Sequence, residues 1–163
     1  MLTLPDIMIR WIHQEDSEAL AHFFHRNNLE EVTQYFHPFP LDDESARVIC
    51  CAGGLDRFLG AFDGEKLVGL TMLRGWDKGF AIPSLGVLVD VAYRRLGLGR
   101  RLVQEAISEG KRSNAPGIIL SVYASNSVAV RLFSSLGFRE SDRSPSYVKG
   151  RLDCKIRMRL GLI

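Results

Sequence analysis

Cysteine is scarce in this 163-residue sequence: there are 3, at Cys50, Cys51 and Cys154, and no C-x-x-C spacing of the kind that seats a metal. An odd and sparse set reads as reduced thiols in a cytoplasmic protein, with packing as their role. Histidine is nearly as scarce, at 4, and no cluster of it suggests a metal. No apolar run approaches the roughly 18 to 20 residues that a membrane-crossing helix needs, so no membrane partner is expected. The opening residues, Met1 to Asp6, lack the basic and long apolar segments of a secretory leader. Nor does a Gly/Ser or Pro-rich linker, a repeat or a low-complexity tract divide the chain, so residues 1–163 are expected to form one domain.

Net charge is also nearly missing. Lys and Arg number 21 against 19 Asp and Glu, a formal +2, which argues against a nucleic-acid binder working by bulk charge. The distribution is uneven, however. Residues 1–70 hold 5 basic and 12 acidic side chains (−7), and residues 71–163 hold 16 and 7 (+9). An anionic partner is therefore expected at the second half.

What is present is a series of short periodic segments. Ile7 to Trp11 reads as a strand, and Asp16 as the cap of a helix with Ala19, Leu20, Phe23 and Phe24 on one face. Two prolines keep Tyr35 to Leu41 irregular, after which Asp42 or Asp43 opens a helix carrying Val48 and Ile49. Asp63-Gly64 suits a type I′ turn between two antiparallel strands, 58–62 and 66–73. A buried strand at Leu85 to Val89 leads into a glycine-rich turn, and from Gly99 a helix places Leu102, Val103, Ala106 and Ile107 together. A strand at Ile118 to Tyr123 follows. Asn126 then caps a helix that Gly137 ends, and two strands near 138–141 and 154–160 close the chain. The order β-α-α-β-β-β-α-β-α-β-β predicts an α+β sandwich about a mixed, mainly antiparallel sheet.

Chemistry enters at the segment from Val89 to Leu102. A strand, a loop with Gly97 and Gly99, and a helix start aim backbone N–H groups and the positive helix end at one point. Arg94, Arg95, Arg100 and Arg101 add charge there, so the turn suits a pyrophosphate. The dinucleotide fingerprint fails, because Leu102 stands at its third glycine, and no Gly-Lys-Ser/Thr is present for a P-loop.

Arg94-Arg95-Leu96-Gly97-Leu98-Gly99 resembles the R/Q-x-x-G-x-G/A motif of the GCN5-related N-acetyltransferase (GNAT) superfamily. Ser125 to Phe138 is similar to the family's second signature, roughly N-x-x-A-x-x-L-Y-x-x-L-G-F. The resemblance implies an α/β/α sandwich around a splayed sheet of six to seven strands with about four helices. It also implies acetyl-CoA as cosubstrate, with no metal, and a pantetheine arm between the strand ending at Val89 and the strand of 118–123. Val87 would line the cofactor, and beside it backbone groups of Leu88 and Val89 would pair with the pantetheine. Those of Arg94, Arg95, Leu96, Gly97, Leu98, Gly99 and Arg100 would hold the pyrophosphate, and Asn126 and Phe133 would lie against the cofactor, Asn126 either touching it or serving only as the helix cap. The Val89 N–H would polarise the thioester carbonyl.

The catalytic pattern departs from the family. Its usual carboxylate position falls at Pro83 or Ser84, and its usual tyrosine is Phe133, so both customary proton-handling groups are missing. Substitutes stand on the loops expected to face the acceptor. His37, of a residue type that titrates near neutrality, is a candidate base, with Asp77 and Asp90 as further carboxylates and Tyr35, Tyr123 and Tyr147 as candidate acids. Asp90 equally suits a turn-holding role. Tyr35, His37, Phe39, Arg74 and Trp76 could wall a pocket for a flat or partly apolar amine. The expected activity is transfer of an acetyl group to a primary amine of a small molecule, an amino sugar among the candidates. The alternatives are a protein N-terminus of the ribosomal-protein type and a non-catalytic acyl-CoA-binding module. A homodimer is left open.

Overall fold

Seven strands and five helices follow one another along residues 6–163, the residues that a computed structural model describes. Residues 1–5, on which most of the leader reading rests, lie outside the described residues. The strands are β1 (Ile7–Trp11), β2 (Arg57–Asp63), β3 (Lys66–Arg74), β4 (Ser84–Val89), β5 (Gly117–Tyr123), β6 (Arg139–Val148) and β7 (Arg151–Gly161). They form one sheet in the order β1-β2-β3-β4-β5-β7-β6, antiparallel except between β4 and β5. The helices are α1 (Ser17–Asn27), α2 (Glu30–Thr33), α3 (Asp43–Cys50), α4 (Leu98–Arg112) and α5 (Ser127–Ser135). The single turn α2 goes beyond the expected helices, and β6 and β7 are longer than the pattern at either end of them suggests.

The sheet carries an apolar layer on each side. Leu20, Phe23 and Phe24 of α1, with Val32 and Ile49, pack on Phe62, Leu67, Leu70 and Leu88. On the other side Val103 and Ala106 of α4 and Phe133 of α5 meet Leu73, Leu85, Ile118, Leu120, Val122, Ile156 and Met158. Each such side chain, fully buried, contributes about 2 kcal/mol by leaving water. Val48 departs from expectation and is exposed, because the helical period sends Ala46, Ile49 and Cys50 inward instead. Burial pushes the Cys50 thiol up to about 11, so it stays protonated and serves as a packing group.

Two turn expectations need correction. The register pairs Asp63 with Lys66, so the central turn residues are Gly64 and Glu65. Gly64 alone of these has positive φ, +61°, which rules out type I′ because that type needs positive φ at both centres. Asp16 does not cap α1 with its side chain. Its carboxylate instead accepts the His13 N–H at 2.7 Å and pairs with the Arg10 guanidinium at 2.8 and 2.9 Å. Arg10 is the chief cause that holds the Asp16 carboxyl below the usual range, against the opposing effect of burial. Gly137, by contrast, ends α5 as expected. At φ +97° it lets the Gly137 and Phe138 N–H groups close back onto Ser134 and Phe133, the paired bonds of a Schellman ending.

The exit of β4 is tied to α1. Asp90, 2% exposed, accepts from the Ala92 N–H at 3.0 Å, from Arg26 at 3.1 Å and from the Asn27 amide at 3.3 Å. The Val91 N–H donates to the Asn27 side-chain oxygen at 2.9 Å, and Arg26 donates to the Leu67 carbonyl at 2.7 Å. Asp90 thus holds its turn, and through it the loop that follows. Replacing it by alanine strands a part-buried guanidinium and a buried amide, so Asp90→Ala should lower unfolding free energy by about 3 kcal/mol in a denaturant titration.

Candidate active site

β4 and β5 are neighbours that pair at one position, Ser84 with Ile119, where the Ile119 N–H donates to the Pro83 carbonyl at 3.0 Å. Beyond it the two strands part, and a cleft opens toward Val89 and Tyr123. Peptide groups alternate sides along a strand. Pro83 bonds toward β5 and the Asp90 N–H bonds toward Val68 of β3 at 2.9 Å, so beyond the Ser84–Ile119 pair Val87 and Val89 direct their peptide groups into the cleft. Leu88 points the other way: it pairs with Leu70 of β3 and its side chain is buried. Of the two residues expected to meet the cofactor through backbone groups, Val89 turns its peptide groups into the cleft and Leu88 does not, while Val87, expected beside them, shares the orientation of Val89.

The chain leaves Val89 through a 3₁₀ turn at Val91–Tyr93 and reaches α4. Gly97 stands at the helix start with φ +82°, and no side chain caps it. The Arg101 N–H finds the Gly97 carbonyl at 3.2 Å, so the N–H groups before it in the first turn lack an intrahelical partner and converge at the positive helix end. Arg95 adopts φ +64°, a region that costs a non-glycine residue on the order of 1 kcal/mol. Leu98 is buried and anchors the turn, and Leu96 is half-buried. Arg94 and Arg95 are exposed, with no polar partner among the described residues. Arg100 donates to Ser135 Oγ at 2.6 Å, and Arg101 turns away to the Ile7 carbonyl of β1 at 3.1 Å. The positive charge left free beside the helix start is thus that of Arg94 and Arg95, with Arg100 next to them.

Asn126 precedes α5, but its side chain makes no cap hydrogen bond, which leaves its amide available to the cleft. Phe133 is 6% exposed and meets Phe138 edge-on at 5.9 Å, within the core under α5. It is a packing residue, and the position expected to lie against the cofactor offers it no polar group.

On the face covered by α1 to α3, two hydrogen-bonded groups stand at the end of β5. His37 Nδ1 and the Tyr123 hydroxyl are 3.1 Å apart, with the rings edge-on at 5.6 Å. The Tyr35 hydroxyl and Ser125 Oγ are 2.8 Å apart, and Ser125 Oγ donates to Asp153. The Ser125 hydroxyl is the chief cause that holds the Asp153 carboxyl below the usual range, with the Cys154 N–H adding to it. The Arg74 guanidinium lies 5.6 Å from the Phe39 ring centre. Trp76 and Asp77 do not join this group. Trp76 packs in the core under α4 and α5, on the other side of the sheet, and Asp77 is spent on the Leu55 N–H at 2.6 Å. Sequence reading does not single out Ser125 or Asp153. Ser125 adjoins Asn126 in the second motif, which is a usable signal, whereas Asp153 is 28 positions away and only the β5–β7 register brings it in.

The family model for the acetyltransferase (GNAT) family matches residues 11–138. The ribosomal protein bS18-alanine N-acetyltransferase of Escherichia coli (strain K12) is 39% identical over 61 residues, 37% of this chain and 41% of that protein. The N-alpha-acetyltransferase of Sulfurisphaera tokodaii is 38% identical over 94 residues, 51% of this chain and 56% of that protein. The chain thus spans about half the length of these curated relatives. Among solved structures, a protein of Salmonella typhimurium that holds its cofactor acetyl-CoA superposes with a TM-score of 0.81 at 21% identity, over 96% of this chain and 94% of that one. The family match takes in the β4 cleft, the glycine turn and α5, and by that match the chain belongs to the acetyltransferase (GNAT) family.

Proposed function

We propose that this protein is an acetyl-CoA-dependent N-acetyltransferase whose acceptor is the free N-terminal amine of a peptide. The observation that carries the reading is the parted β4–β5 pair, with the peptide groups of Val87 and Val89 turned into the cleft beside an uncapped helix start. Unpaired donors at a helix N-terminus suit a pyrophosphate, and an open strand edge suits the amides of a pantetheine. Arg94, Arg95 and the backbone from Leu96 to Arg100 would hold the diphosphate, Val87 and Val89 the arm, and Asn126 the region beside it. Acetyl-CoA supplies an activated thioester when bound. The Val89 N–H, aimed into the cleft, is the donor suited to a carbonyl oxygen there.

Attack on a thioester requires the amine in its neutral form, so a group must take its proton. Phe133 cannot, and neither Pro83 nor Ser84 carries an ionisable side chain. His37 and Tyr123 replace them in this reading: the imidazole receives the amine proton, the phenol bonded to it holds the ring in place, and as the C–N bond forms and the thioester C–S bond breaks the departing thiolate takes its proton from water. The peptide acceptor is preferred to an amino sugar because the aromatic wall expected for a sugar ring is not assembled, Trp76 lying on the other side of the sheet. The two curated relatives act, by their names, on alanine of a ribosomal protein and on α-amino groups, which favours the same choice.

Acetyl-CoA at about 100 times its Kd should stabilise the fold by roughly 2.7 kcal/mol, read as a rise in Tm. Gly97→Glu should abolish that rise, and an unchanged rise would place the cofactor elsewhere. In a thiol-release assay over amines, amino sugars and peptides with free N-termini, turnover is expected with peptides. His37→Gln and Tyr123→Phe should each lower kcat by about 100-fold with the Tm rise intact. Cofactor binding without turnover on any amine would leave the acyl-CoA-binding module as the reading.

A further inference from the structure

The C-terminal half of the sheet has two unlike faces. Leu120 pairs with Met158 and Val122 with Ile156, and all four are buried under α5. The residues between them point to the opposite side, where Ile119, Ser121 and Tyr123 of β5 stand beside Arg159, Arg157 and Lys155 of β7. On β6 the register adds Arg139 opposite Arg159, Asp142 opposite Arg157 and Ser144 opposite Lys155. The helical layer on this side rests on β2, β3 and β4 through Phe62, Leu67, Leu70 and Leu88, and its core takes in no residue of β5, β6 or β7. Arg139, Lys155, Arg157 and Arg159 are accordingly exposed.

Four cations on one open face meet little compensation within the chain. Among the described residues none of them is in an ion pair, and Asp142 is the acid that the register sets among them. The nearby acids are committed: Asp153 to Ser125 and the Cys154 N–H, and Glu30 to Lys149 at 3.6 Å. Arg139 and Arg159 face each other directly across the strands, an arrangement that destabilises a sheet. On the opposite face Arg143 is cancelled by Glu140 at 2.7 Å. On β6 and β7 the four uncancelled cations therefore share the face that adjoins the cleft at Tyr123.

Resting on the peptide reading above, we infer that this face binds the segment that follows the acetylated N-terminus, and that the segment is acidic. Strands lie about 4.8 Å apart and rise about 3.3 Å per residue, so Arg157 stands roughly 8 Å from Tyr123, and the Arg159–Arg139 pair roughly 15 Å. An extended peptide advances about 3.3 Å per residue, so a peptide with its amine at the cleft brings residues at about positions 3 to 6 over the cations. Aspartate or glutamate there relieves the repulsion between Arg139 and Arg159. A nucleic acid fits less well: Asp142 interrupts the patch, and Tyr123, the aromatic ring on this face, is 8% exposed and already held by His37.

The test is equilibrium binding of fluorescently labelled peptides with free N-termini to the full chain in the presence of coenzyme A, followed by anisotropy. It needs no turnover, so it stands apart from any failure of the catalytic reading. A peptide with Asp or Glu at positions 3 to 6 should bind at least tenfold more tightly than its Ala and Lys counterparts, and the difference should shrink with salt. The double variant Arg157→Thr, Arg159→Thr should remove most of that preference, and Arg143→Thr, the loss of one cation on the opposite face, should keep it. Both substitutions retain a residue suited to a strand, and a melting curve checks the fold, the double variant being expected at or above the parent because the Arg139–Arg159 opposition is gone. Equal binding of the three peptides, an effect of Arg143→Thr as large as that of the double variant, or displacement of the acidic peptide by a lower concentration of an RNA oligonucleotide would overturn the inference.

Discussion

The parting of β4 from β5 is the constraint on which the site depends. A strand in the middle of a sheet normally spends its peptide groups on both neighbours, and here the shared edge is closed by the one pair at Ser84 and Ile119. The opening is held from outside rather than by the strands that border it. β4 is fixed to β3 from Ser84 to Val89, and its exit is tied to α1 through Asp90, Arg26 and Asn27. β5 is fixed to β7 from Gly117 to Tyr123. The layer of α1 to α3 rests on β2 to β4, while the layer of α4 and α5 reaches from Leu73 and Leu85 across to Ile118, Leu120, Ile156 and Met158, so the two halves are joined through the apolar layer rather than along the shared edge. The result is a pair of strand edges with unspent donors and acceptors, which a globular protein retains where another molecule completes them.

The same geometry gives the charge asymmetry its meaning. The basic second half divides into groups with different tasks. Arg94 and Arg95 stand at the uncapped start of α4, Arg101 is turned to β1, and Arg143 is cancelled by Glu140. Arg139, Lys155, Arg157 and Arg159 lie together on the open face beyond Tyr123. One cationic group flanks the cleft on the side of the glycine turn, the other on the side of Tyr123.

Much of this was legible in the sequence, and the failures have physical reasons. Apolar periodicity located the strands and the longer helices, and two motifs identified the family that the comparisons show. Leu88 was misassigned because adjacent strand residues look alike in a continuous apolar run, while their peptide groups face opposite ways. Trp76 and Asp77 sit on a loop that could fold to either side of the sheet, and what decides it, the packing of Trp76 under α4 and the bond from Asp77 to the Leu55 N–H, is tertiary. Asp153 joins the site through strand pairing over 28 positions, which no local pattern records. The alternation Lys155, Arg157, Arg159 is plain in the sequence, but that these side chains stand outside the α1–α3 layer is decided by the register of β5 with β7 among the described residues.

Amide hydrogen exchange with and without coenzyme A tests the central claim most directly. If the parted strands and the uncapped helix start hold the cofactor, the amides of Val87, Val89, Leu98, Gly99 and Arg100 should exchange markedly more slowly in its presence, while those of Leu88, already bonded to β3, should change little. Protection that spares the β4 edge and the α4 start, or that appears chiefly elsewhere, would contradict the account.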